Sequence, residues 1–92
     1  MGETIVNENG TITYTVDNTK LSLEKMQYMV GGYIEVVHDD GETQIVCNED
    51  GKLDGRPENE EATDLWHDLN EDAWGDYLVG DILILKGKAR MN

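Results

Sequence analysis

Cys47 and His38 are the side chains of this 92-residue chain most suited to chemistry. Both fall on segments that read as neighbouring strands joined by a short turn. A thiol and an imidazole brought together in that way make a nucleophile. Cys47 follows Ile45 and Val46, however, and a thiol in an apolar strand usually packs as a small hydrophobe. We therefore expect a buried structural cysteine and no enzyme, with Cys47-based catalysis as the alternative. A zinc site from Cys47, His38 and His67 lacks local ligand spacing. The stretch 48–55 (NEDGKLDG) resembles a calcium loop at first reading. It fails because Lys52 takes a ligand position and no acid stands where the bidentate glutamate belongs. General acid–base work needs a carboxyl in an apolar pocket. Only Glu35 and Asp81 are flanked by apolar strand residues, and Glu35 is expected on a solvent-facing side. No serine nucleophile motif, glycine-rich phosphate loop or histidine-rich spacing is present. The expectation is no catalytic residue, no metal and no cofactor.

Charge carries more information. The chain has 20 acidic and 7 basic residues, a net charge of −13. Fifteen of the acids lie between Asp39 and Asp81, against only Lys52 and Arg56; outside that window acids and bases balance. Halophilic adaptation would spread the acid over the whole surface, so the neutral ends argue against it. Such a chain repels nucleic acid and anionic membrane. A macromolecular partner should be basic.

These groups must be positioned by a small fold. Ninety-two residues make one domain, read here as 1–92. Its core is modest, in the range where oligomerisation often adds stability, and a homo-oligomer is one expectation. No apolar run approaches the roughly 20 residues of a membrane span. The start at Met1-Gly2 lacks a signal-peptide pattern and is a weak myristoylation match. One cysteine excludes an internal disulfide. A cytoplasmic location is expected.

Residues 3–7 and 11–16 read as strands around an Asn-Gly turn. Leu23, Met26 and Val30 recur at helical spacing, with Ser22 as N-cap and Gly31-Gly32 as the stop. Residues 33–38 and 42–48 form a second hairpin around Asp39-Asp40-Gly41, and Lys52-Leu53 extend the sheet. Asn59 caps a second helix, whose Ala62, Leu65, Trp66 and Leu69 make one apolar stripe. The run 82–85 (ILIL) reads as a buried central strand. The tail 87–92 is expected to fray. The order β-β-α-β-β-α-β predicts an α+β fold, a small and mainly antiparallel sheet with both helices on one face.

On the second helix, Glu60, Glu61, Asp64, Asp68, Glu71 and Asp72 lie opposite the apolar stripe. Glu60, Asp64, Asp68 and Asp72 form an i, i+4 series rising about 6 Å per step, comparable with the separation of neighbouring phosphates along a strand. Each like-charged i, i+4 pair costs roughly 0.2–0.5 kcal/mol, and the last acids oppose the helix dipole. A solvated face is the plain reading of such a run; a partner surface is the other.

The segments Gly31-Gly32-Tyr33-Ile34-Glu35-Val36-Val37, Val46-Cys47-Asn48-Glu49-Asp50-Gly51-Lys52-Leu53, Asn59 with Ala62, and Val79-Gly80-Asp81-Ile82-Leu83 occur in this order. Together they resemble a small family of unknown function found in phages, plasmids and bacterial mobile elements. The resemblance spans Leu23 to Leu85 and implies a mobile-element context, with no catalytic residue to carry over. Joined to the acidic face, it leads to an expected anti-defence inhibitor, an anti-CRISPR protein being one example. Its carboxylates would imitate phosphates and occupy a basic groove of a host protein. Glu60, Glu61, Asp64, Asp68, Glu71 and Asp72 would present the charge, widened by Asp39, Asp40, Glu49, Asp50 and Asp54. The alternative is a sponge that holds a nucleotide-derived immune signal. Its pocket would use Tyr33, Asn48, Arg56, Asn59, Trp66, Trp74 and Tyr77, with phosphate held by Arg56 or the cations between Lys86 and Arg90. A structural or regulatory phage protein is the remaining reading.

Overall fold

A computed structural model describes residues 2–91; the Met1 start and Asn92 at the end of the tail lie outside the described residues. The elements are β1 (Gly2–Val6), β2 (Ile12–Asp17), α1 (Leu23–Val30), β3 (Ile34–Asp39), β4 (Thr43–Asn48), α2 (Glu60–Leu69) and β5 (Ile82–Lys86). Single 3₁₀ turns follow at Glu71–Ala73 and Gly87–Ala89. The predicted order and the α+β class hold.

The five strands form one sheet in the order β1-β2-β5-β4-β3. The two sequential hairpins, β1–β2 and β3–β4, are antiparallel. β5 enters between them, antiparallel to β4 and parallel to β2. The last strand therefore joins two hairpins that do not pair with each other in the sheet. Its residues Ile82, Leu83, Ile84 and Leu85 are fully buried, as the uninterrupted apolar run requires.

The helices cover opposite faces of the sheet, not one. Ile45, Cys47, Ile82 and Ile84 pack with Ala62 and Trp66 of α2. Their neighbours Val46, Leu83 and Leu85 point the other way and pack with Met26 and Val30 of α1. Successive strand side chains alternate between faces, so a strand apolar at every position has to be covered twice. Every residue of β4, from Thr43 to Asn48, is also buried, its apolar Ile45 and Cys47 on the α2 side and Val46 on the α1 side.

Local capping follows the sequence closely. The Ser22 hydroxyl accepts from the Lys25 N–H at 3.0 Å. Gly31 closes α1 in the left-handed region at φ 81°, and the Gly31 and Gly32 N–H groups both reach the Gln27 carbonyl. This is the double-bonded C-terminal stop that glycine permits.

Two segments depart from expectation. Lys52 and Leu53 lie in a run of turns rather than in a strand, and the Leu53 side chain is 87% exposed. Gly51 starts that turn after the Asn48 side chain has accepted the Asp50 N–H, so the chain leaves the sheet at Asn48. The tail does not fray over 87–91. Ala89 is buried against the α1-side core, and the Met91 main chain forms two hydrogen bonds of 2.7 Å with the Gln44 side chain. The sequence of the tail is polar, but one alanine and main-chain pairing dock it.

Candidate functional site

The acidic series on α2 is shorter than its spacing implies. Glu60, Glu61, Asp64 and Asp68 are exposed on the helix. The helix ends at Leu69, because Asn70 turns to extended backbone and its side chain accepts the Asp72 N–H at 3.0 Å. Glu71 and Asp72 therefore open a separate 3₁₀ turn, and the i, i+4 series stops at Asp68. Glu60 and Glu61 occupy the first turn of α2, where the dipole favours them. Leu69, expected on the buried stripe, is 38% exposed at this helix end.

Among the described residues, none of the six acids from Glu60 to Asp72 has a salt-bridge partner; the ion pairs are His38–Asp40, Lys52–Asp76 and Arg56–Asp54. Glu49 and Asp50 are likewise exposed and outside any ion pair. The other flanking acids are spent on local structure. Asp40 accepts from the His38 ring and from the Glu42 and Thr43 N–H groups, and these bonds, the histidine first, hold its carboxyl far below the usual range. Asp39 accepts from the Gly41 N–H and then from Gln44, which lowers its pKa. Asp54 stands 3.8 Å from Arg56. Asp39 and Asp40 also lie at the opposite end of the β3–β4 hairpin from Glu49, Asp50 and Asp54, about 17 Å away along a six-residue strand. They are not one continuous face. A narrower set remains: α2, the following turn and the Glu49–Asp50 corner.

Cys47 and His38 do not meet. Cys47 stands opposite Glu35, and His38, beyond a bulge between Val36 and His38, stands opposite Ile45. The Cys47 sulfur lies 4.0 Å from a Glu35 carboxylate oxygen. Burial, and then that carboxylate, push the thiol up to about 11. This is the opposite of what a nucleophilic cysteine needs. Asp81 is taken up by the fold as well, accepting the Ile12 N–H at 2.9 Å. Among the described residues no three His, Cys, Asp or Glu side chains gather as a metal cage. None of the helices there is long and apolar enough to cross a membrane.

The seven residues of the alternative pocket separate. Asn48, Trp66 and Tyr77 line one cavity of about 190 Å³. Tyr33 and Trp74 are about 70% exposed and outside it. Arg56 donates to the Val30 and Gly31 carbonyls, tying the loop to the end of α1. Asn59 is completely buried. It caps α2 through Ala62 N–H and donates to the Ile12 and Gly80 carbonyls. Turn and cap chemistry thus explains Asn48, Arg56 and Asn59.

The cavity itself was not legible in the sequence. Its apolar wall is Val37, Cys47, Trp66, Leu78 and Val79; its rim adds Glu35, Glu49, Lys52 and Asp76. Lys52 and Asp76 form an ion pair across the mouth, and the Lys52 ammonium stands 4.4 Å from the centroid of the Tyr77 ring. That pair lowers the Asp76 carboxyl, helped by the Tyr77 N–H. The Trp66 indole N–H is buried without a hydrogen-bond partner, alone in this among the described side-chain polar atoms. An unmade bond of that kind costs about 1–3 kcal/mol. No local spacing announces the cavity, because Lys52 and Asp76 are 24 residues apart.

A second, more open hollow of about 620 Å³ carries Lys20, Lys88 and Arg90 at the ends of the parallel strands β2 and β5. Lys20 donates to the Arg90 main-chain carbonyl, which ties the segment after β2 to the end of the chain's docked tail.

Neither the curated proteins nor the solved structures contain a match to this chain. Over residues 3–91 it matches the model of the domain of unknown function DUF3846, and with nearly its full length aligned the chain belongs to that family.

Proposed function

We propose that this domain is a non-enzymatic binding protein that presents the carboxylates of α2 to a basic protein surface. The observation that supports this most is the state of the acids themselves. Glu60, Glu61, Asp64, Asp68, Glu71 and Asp72 are all exposed, and none is neutralised by an ion pair among the described residues. Asp39, Asp40 and Asp54, by contrast, are engaged locally. Clustered like charge raises the field, steers an oppositely charged partner and speeds association. We place the domain in a phage or mobile-element setting, as an anti-defence inhibitor that occupies a nucleic-acid-binding groove of a host protein in the cytoplasm.

The test is a pull-down from host lysate with the intact chain, followed by protein and small-molecule mass spectrometry. A basic protein captured by the natural chain and lost from Asp64→Lys/Asp68→Lys supports the reading. Equal capture by both sinks it.

The hollow lined by Lys20, Lys88 and Arg90 favours a second reading, capture of a phosphate-bearing small molecule. A nucleotide retained through purification in a multimer is its signature.

A further inference from the structure

The cavity between α2 and the β3–β4 hairpin has a volume of about 190 Å³. This is below the roughly 300–1,000 Å³ of pockets for drug-sized ligands, and it suits a single side chain. Its chemistry is uneven. The wall is apolar and aromatic, whereas Glu35, Glu49 and Asp76 place three carboxylates around it against one cation, Lys52.

That cation is informative. The Lys52 ammonium faces the Tyr77 ring at 4.4 Å and pairs with Asp76. It comes from a turn, is about half exposed, and among the described residues its ammonium has no other ion pair or hydrogen bond. Its contacts are those by which any cation would be held here: a carboxylate on one side and an aromatic face on another. A guanidinium fits such a place better than an ammonium, since it is flat, stacks on aromatic rings and pairs with carboxylates in two-point fashion. The aliphatic stem of an arginine or lysine would lie along Val37, Leu78 and Val79, as long basic side chains do on apolar surface.

We infer that this cavity is a socket for a basic side chain of a protein partner, and that Lys52 fills the cation position until the partner displaces it. The inference rests on the reading that the partner is basic, and it adds where one of its side chains is gripped.

The test needs no partner. In the full chain carrying Trp74→Phe, the Trp66 indole N–H gives a single resonance for titration. The probes are arginine and citrulline with both ends capped; citrulline has the same shape without the charge. Capped arginine shifts the resonance saturably with a dissociation constant on the order of millimolar, as one residue's worth of contact allows. Capped citrulline binds up to about fivefold more weakly, the range for one exposed ion pair. Lys52→Gln removes the competitor and tightens arginine binding by up to about fivefold; Asp76→Asn weakens it. Equal binding of the two probes, no shift with arginine, or unchanged or weaker arginine binding in Lys52→Gln overturns the socket. Asp64 and Asp68 do not line this cavity, so the two readings fail separately. Partner capture lost in the α2 double variant, without arginine selectivity here, keeps the basic partner and removes the socket.

Discussion

The Asn59 side-chain amide donates to the Gly80 carbonyl at 3.0 Å, joining the start of α2 to the approach to β5. The same side chain reaches the Ile12 carbonyl at 3.2 Å and accepts from Ala62 N–H, the Thr13 hydroxyl and the Asn7 amide. One buried residue thus pins β2, α2 and β5 together. The Asn59→Ala variant loses a helix cap, worth about 1 kcal/mol. It also strands the buried Gly80 carbonyl, at about 1–3 kcal/mol, and the part-buried Ile12 carbonyl, at less. We expect a loss of about 3 kcal/mol or more, a fall of roughly 12–24 °C in Tm for a domain of this size, measured by thermal denaturation. Asn59→Asp is the sharper control. An ordinary N-cap tolerates aspartate, but here its carboxylate would face the Ile12 and Gly80 carbonyls, so this variant also loses stability, and loses more as pH rises.

Charge reversal on α2 should separate binding from folding. Asp64→Lys/Asp68→Lys turns the Glu60–Asp64 repulsion into an opposite-charge i, i+4 pair, exchanges one like-charged pair for another between 64 and 68, and places cations nearer the helix C-terminus. Stability is expected to stay level or rise by less than about 1 kcal/mol, while partner binding falls sharply and its salt dependence flattens. Denaturant melts beside binding isotherms at two salt concentrations check this.

Acid should weaken the fold through the β3–β4 turn. The Asp40 carboxyl is lowered by the His38 ring and by the Thr43 and Glu42 N–H groups; Asp39 and Asp76 are lowered too. A carboxyl depressed in the folded state contributes stability that is complete above its unfolded value, near 4. That contribution is lost as pH falls below it towards the folded value. The Asp40→Asn variant should therefore show a shallower loss of stability between about pH 4 and pH 2 than the natural chain, read from urea midpoints at each pH.

Cys47 should be inert in the native protein. With its thiol pushed from 9.0 to about 11, the thiolate fraction at neutral pH falls about a hundredfold. Alkylation by iodoacetamide at pH 7.5 is expected to be far slower in the native chain than after denaturation. The Cys47→Ala variant should capture the same partner as the natural chain. A folded Cys47→Ala protein without function would return the catalytic alternative.

Much of the local architecture was legible in the sequence because its causes are local. Ser22 and Asn59 are caps by the oxygen they offer to a nearby N–H. Gly31 stops α1 by adopting the left-handed region. The strands announce themselves by β-branched runs between turn residues, and the crowding of acids between Asp39 and Asp81 is a matter of counting. The limits of the acidic face were less legible. Asn70 carries a capping signal of its own, and it ends the series before Asp72.

The sequence by itself determined the elements, their order and the uneven charge, since each depends on residues within a few positions of one another. Only the tertiary structure decided that β5 joins the two hairpins, that the helices take opposite faces and that the strand register sets Cys47 against Glu35 rather than His38. It alone set Lys52 over Tyr77 beside Asp76. Strand partners and cavity walls are chosen by packing among residues far apart in the chain, and spacing along the sequence does not encode that choice.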